Sequence, residues 1–89
     1  MKRERWAMLA SILRAILALE EGGREPRGTT IAEMARTPYD RFMDTYLPEL
    51  VSHDLVKVEG RVLRITEKGR SYLASHDAFR EALERLGFE

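Results

Sequence analysis

The 89-residue chain contains no cysteine. That excludes disulfide staples, Cys-based zinc sites and thiol nucleophiles. It also lacks any apolar run near the roughly 18 residues of a membrane span, because Arg14, Glu20 and Glu21 interrupt the longest stretches. Residues 1–5 are basic, but an arginine sits inside the apolar segment that follows and no cleavage site ends it, which argues against a secretory signal. Net charge is absent too: 15 Lys and Arg balance 15 Asp and Glu. The global sum therefore points neither to nucleic acid nor to a membrane surface. No internal repeat or low-complexity run is present, and the length fits one domain, taken as residues 1–89. A domain this small buries only about 60–65% of its unfolded surface. Without disulfides it must rely on close packing or on a second copy of itself. With 44% hydrophobic and 34% charged residues the chain is not disordered by composition, and a cytoplasmic domain is expected.

Periodicity supplies the elements. From residue 4 to 20, Trp6, Leu9, Leu13, Ile16 and Leu17 recur at helical spacing, widened by Met8, Ile12 and Leu19. This predicts a first helix buried over much of its circumference, with Trp6 in the core and Gly22 and Gly23 as its left-handed end. A polar loop with Pro26 follows, and Thr29 and Thr30 form a short extended segment. Thr30-Ile31-Ala32-Glu33 has the form of a capping box and starts a short helix to about Arg36. Thr37-Pro38 then reads as an N-cap and first helical position. The third helix runs to about Ser52, with Tyr39, Phe42, Met43, Tyr46, Leu47, Leu50 and Val51 on one face. Pro48 lies mid-helix and predicts a kink or a break there. The period then changes to two: Val56 and Val58, then Leu63 and Ile65, make a hairpin with Gly60 and Arg61 at its tip. Thr66 caps a final helix that runs toward Leu86, with Gly87 and Phe88 as a C-terminal ending. The class is α+β, mostly α.

Three segments carry a resemblance. Tyr46-Leu47-Pro48-Glu49-Leu50, Leu55-Val56 and Leu63-Arg64-Ile65-Thr66-Glu67-Lys68-Gly69-Arg70 resemble small winged helix-turn-helix DNA-binding proteins of archaea and their viruses. In that family a Tyr-Leu helix leads into a wing, and an Ile-Thr-Glu-Lys-Gly step opens the last helix. The resemblance implies the order α1-β1-α2-α3-β2-β3-α4, double-stranded DNA as partner, and a role in transcription regulation. Asp54 stands where the family usually has glycine, and Asp tolerates the left-handed backbone better than most residues.

A helix-turn-helix lays its second helix in the major groove. This places Tyr39, Arg41 and Thr45 at base edges, with Arg36 on phosphate near the turn. Arg41 matches guanine, and Thr45 a thymine methyl or a phosphate. Arg61 and Arg64 bring the wing to phosphates or the minor groove, and Lys2, Arg3 and Arg5 form a mobile basic arm. Regional charges give +3 over residues 1–14, +3 over 55–70, −3 over 40–54 and −2 over 71–89. The wing and N-terminus suit phosphate, whereas the acidic third helix supports an alternative, a protein-interaction module that does not touch DNA. Tyr72, His76, Phe79, Leu83 and Leu86 are spaced four, three, four and three apart, a coiled-coil seam that predicts a homodimer through residues 72–89.

No constellation supports an enzyme. Ser75-His76-Asp77 holds the residue types of a hydrolase triad, but side chains adjacent on a helix point about 100° apart. His53 and His76 have no second ligand at metal spacing, and the glycines read as turns and caps. No metal or cofactor is expected.

Overall fold

The fold is that of a computed structural model, which describes residues 5–87. Its elements are α1 (Arg5–Glu21), α2 (Gly28–Ala35), α3 (Tyr39–Arg41), a π-helical turn (Phe42–Tyr46), α4 (Leu47–Ser52), β1 (Val56–Glu59), β2 (Val62–Ile65) and α5 (Glu67–Arg85). The segments from α3 through α4 join end to end into one composite helix.

Helix α1 is the centre of the core. Leu9, Ile12, Leu13 and Ile16 are fully buried, and Ile31 of α2, Phe42 of the π-helical turn, Leu50 of α4, Leu55 before β1, Leu63 of β2 and Leu73 of α5 close round them. Trp6 is the exception to the expected core. It is 56% exposed, tilted against the Tyr72 ring at 6.3 Å, while the Tyr72 hydroxyl donates to its carbonyl. At the other end Gly23 adopts the left-handed conformation (φ 72°) that stops the helix. Glu20 ties this end to the wing by accepting the Ile65 N–H at 2.9 Å.

Helix α2 starts earlier than the capping-box reading placed it. Leu63 N–H donates to the Pro26 carbonyl, and Arg27 forms an antiparallel bridge with Val62. The extended segment is therefore at Arg27 and shrinks to one bridge, and the helix begins directly after it. Thr29 and Thr30 are already helical, so Thr30 lies within the first turn and caps nothing. The next start also shifts by one residue. Pro38, not Thr37, is the N-cap, and its carbonyl accepts the Phe42 N–H. The Thr37 side chain instead points inward, its hydroxyl without a hydrogen-bond partner.

Pro48 does not break the composite helix, which continues through it to Ser52. The turn before it is π-helical, with Leu47 N–H reaching back five residues to the Phe42 carbonyl. This wider turn brings Phe42 and Leu47, five apart in sequence, onto the same buried face. Tyr39 and Val51, expected on that face, are both exposed.

The last helix is locked by its first turn. Thr66 accepts from the Gly69 N–H at 2.9 Å, donates through its hydroxyl to the Asp54 carbonyl at 2.6 Å, and donates its own N–H to the Leu55 carbonyl. Asp54 takes the left-handed conformation (φ 59°) that glycine would otherwise supply. A Cβ on Gly69 would lie 2.3 Å from the Leu55 carbonyl oxygen, so no other residue fits without moving the turn. Farther along, Arg14 of α1 grips Asp77 with two hydrogen bonds, 2.6 and 3.1 Å. That grip holds the Asp77 carboxyl below its ordinary range and the Arg14 guanidinium above its own.

Two outcomes follow. Gly69→Ala should destabilise the domain by about 1–3 kcal/mol, the range for an overpacked site, read as a lower midpoint in urea unfolding. Asp77 has a depressed folded pKa, so its contribution is complete above the ordinary aspartate value of about 3.9. It is lost as pH falls through the lower folded value. Asp77→Asn should therefore be less stable than the parent at pH 7 and should show a shallower loss of stability in acid.

Candidate nucleic-acid interface

The turn between α2 and the composite helix is made by residue conformation alone. Arg36 caps α2 in the left-handed region (φ 58°), its N–H shared between the Ala32 and Glu33 carbonyls, and Thr37 N–H returns to Ala32. Pro38 is extended and launches the composite helix. With Phe42, Leu47 and Leu50 buried, the exposed residues of the composite helix are Tyr39, Asp40, Arg41, Asp44, Thr45, Pro48, Val51 and Ser52. Tyr39, Arg41 and Thr45 are thus all solvent-facing.

The hairpin pairs Val56 with Ile65, Lys57 with Arg64, Val58 with Leu63 and Glu59 with Val62. Two residues, Gly60 and Arg61, connect the strands, and of the two only Gly60 has positive φ (65°). This is the pattern of a II′ turn, whose twist matches the strands. Side chains alternate across the hairpin. Val58 and Leu63 face the composite helix, and Lys57 and Arg64 lie on the reverse side. There Glu59 sits 3.6 Å from both Lys57 and Arg64.

Between hairpin and composite helix runs a groove of about 480 Å³. Tyr39, Met43 and Leu47 form one wall, Val58, Arg61 and Leu63 the other, and Arg27 with Thr29 closes one end. Tyr39 and Arg61, assigned separately from sequence, therefore share one groove, whereas Arg64 does not reach it. Arg27 was missed. Its signal was a lone arginine beside Pro26 in an irregular loop, and it becomes meaningful only when the bridge to Val62 places it. Gly28 makes this approach possible, since a Cβ there would crowd the Tyr39 ring at 3.3 Å.

Arg5 is not on an arm. It opens α1 and pairs with Glu49 of α4, its Nη2 and Nε lying 2.5 and 2.7 Å from the same carboxylate oxygen. The Glu49 side chain is largely covered, and it is one of the four acids that make the region acidic. Asp54 lies beyond the helix in the turn to β1. The outer face of the first turns thus shows Asp40 and Asp44 against Arg41, a smaller imbalance than the sequence sum. Lys2 and Arg3 lie outside the described residues.

A family model described as winged helix-turn-helix matches residues 2–84. The chain belongs to the winged helix-turn-helix family. A search of curated proteins gives no match. The composite helix is the second helix of the helix-turn-helix, the β1–β2 hairpin is the wing, and the family's first strand survives as the Arg27 bridge. Membership points to DNA binding. No helix among the described residues is long and apolar enough to cross a membrane. Among them no group of three His, Cys, Asp or Glu is placed to hold a metal ion.

Neutralising Glu59 should release Lys57 and Arg64 together. Glu59→Gln is expected to tighten low-salt binding to duplex DNA several-fold and to steepen its salt dependence. Fluorescence anisotropy across a salt series measures both.

Proposed function

We propose that this winged helix-turn-helix protein is a non-catalytic, cytoplasmic transcription regulator that binds double-stranded DNA as a homodimer. The observation that carries the reading is the shared groove. Tyr39 at the start of the composite helix and Arg61 at the wing tip line it from opposite sides, and Arg41 and Thr45 lie exposed outside it. Tyr39, Arg41 and Thr45 address base edges in the major groove, and Arg41 donates to guanine. Arg36 at the turn and Arg61 at the wing tip hold phosphates, and Lys2 and Arg3 add to the basic N-terminal end. Arg64 reaches a phosphate only from the reverse face of the wing and in competition with Glu59, so it is the weaker contact. Arg5 serves indirectly, by covering Glu49. Asp44 fits as an acceptor for the cytosine amino group.

The fold alone does not fix the function, since one fold hosts many. Asp40 and Asp44, both exposed, support a second reading in which this face meets a basic protein partner.

Gel retardation with random duplexes, followed by selection from the bound pool, separates the two. Enrichment of a sequence supports the regulator. Absence of retardation at low salt with excess duplex supports the protein-interaction module. Within the first reading, Arg61→Ala should weaken binding to all sequences alike and lower the salt slope by about 0.9 per lost phosphate contact. Arg41→Ala should instead relax base preference at one position, costing about 1–3 kcal/mol of discrimination.

A further inference from the structure

Seven large apolar side chains stand exposed among the described residues. Phe79 and Leu86 are the free end of the α5 seam, whose Tyr72 bonds the Trp6 carbonyl and whose His76 and Leu83 are half-buried beside α1. Tyr39 (46% exposed) and Val58 (48%) differ, because they line one groove from opposite walls. The lining between them is apolar as well: Leu47 and Leu63 are buried there, and Met43 is half-buried. Met43, Leu47, Val58 and Leu63 offer no donor to a phosphate, so the interior of the groove is poorly matched to a duplex.

Its charge is of one sign. Arg27 and Arg61 are the charged residues of the lining, and no carboxylate is among them. The nearby acids do not neutralise the two guanidinium groups. Glu25 stands 3.7 Å from Arg27, beyond hydrogen-bond reach, with both side chains more than half exposed to screening water. Glu59 sits between Lys57 and Arg64 on the reverse of the wing, and Asp40 and Asp44 do not line the groove. Thr29 and Tyr39 add two hydroxyls to the lining. The volume of about 480 Å³ falls within the roughly 300–1,000 Å³ of small-molecule sites, whose usual make-up is apolar walls with a few polar groups.

We propose that this groove binds a small amphipathic anion, an aryl or alkyl carboxylate. Its apolar body lies among Tyr39, Met43 and Val58, and its carboxylate is drawn to the Arg27 and Arg61 guanidinium groups. Such a ligand covers Tyr39 and Arg61, the two lining residues assigned to DNA, so ligand and duplex exclude each other. The site stands on the lining of the groove; only the exclusion rests on the DNA-binding reading.

Amide-resolved NMR of the full chain, titrated with phenylbutyrate, reads the site directly. Phenylbutanol and phenylbutylamine serve as its neutral and cationic counterparts. Saturable shifts centred on Gly28, Thr29, Gly60 and Arg61 are expected, with a dissociation constant of about 1 mM or below. Phenylbutanol should bind about fivefold or more weakly, and phenylbutylamine not at all. The double variant Arg27→Gln, Arg61→Gln changes two exposed side chains, and its own spectrum verifies the fold. It should hold phenylbutyrate no better than phenylbutanol. Equal shifts from all three probes, shifts centred elsewhere, or no saturation by about 10 mM phenylbutyrate would overturn the site. In parallel, fluorescence anisotropy should show phenylbutyrate releasing bound duplex near its own dissociation constant. Duplex binding unchanged at saturating phenylbutyrate would overturn the exclusion and keep the site. A chain that shows the shifts and never binds duplex would overturn the DNA-binding reading alone.

Discussion

The structure depends on one close approach, the backbone of Gly69 against the carbonyl of Leu55. No side chain separates them, so the first turn of α5 sits directly on the turn that leaves the composite helix. Thr66 completes the joint with bonds to both Asp54 and Leu55. The wing is a two-stranded ribbon, which is marginal by itself in water. It is held because its two ends, Leu55 and Thr66, are fastened to each other and to helices on both sides. The angle between wing and composite helix, and hence the groove that Tyr39 and Arg61 share, is set at this joint.

Electrostatics in a neutral chain become a matter of pairing. Arg5 covers Glu49, Arg14 holds Asp77, and Glu20 takes the Ile65 N–H with Arg70 near its other oxygen. These pairs consume charge at the junctions of α1 with the rest of the fold. The composite helix keeps Asp40, Arg41 and Asp44 exposed, and the wing tip keeps Arg61 exposed. Arg27 and Arg61 supply the positive side of the groove, and Asp40 and Asp44 leave the helix face mixed rather than basic.

Much of this was legible in the residues. The change from helical to two-residue spacing located the wing, and the Thr66 to Gly69 step located the start of α5, because both depend on local backbone chemistry. Asp54 stands out only through the resemblance, which implies glycine there, and it does take the left-handed backbone. The errors have other origins. The capping box at Thr30 was locally sound, but a bridge to Val62, thirty-odd residues away, fixed the chain at Arg27 and moved the helix start. Trp6 was assigned to the core by its spacing on α1, yet only the position of Tyr72 decides that it sits at the rim. Arg5 looked like part of a basic arm until Glu49 came within reach. Arg64 shares the wing with Arg61, but strand alternation puts the two on opposite sides of it. The shifts at Thr30, Trp6 and Arg5 each turn on a partner distant in sequence, whereas those at Pro38 and Arg64 are local.

The π-helical turn bears on how such a reading head can vary. Between Phe42 and Leu47 the helix holds one residue more than an α-helix needs to bring both side chains to the core. The surplus is accommodated outward, where Asp44 and Thr45 stand exposed side by side. A chain one residue shorter at this place would close into an ordinary α-helix with its buried face intact. Helix length and core register are thereby uncoupled. One outward position can be removed at this turn without repacking the interior.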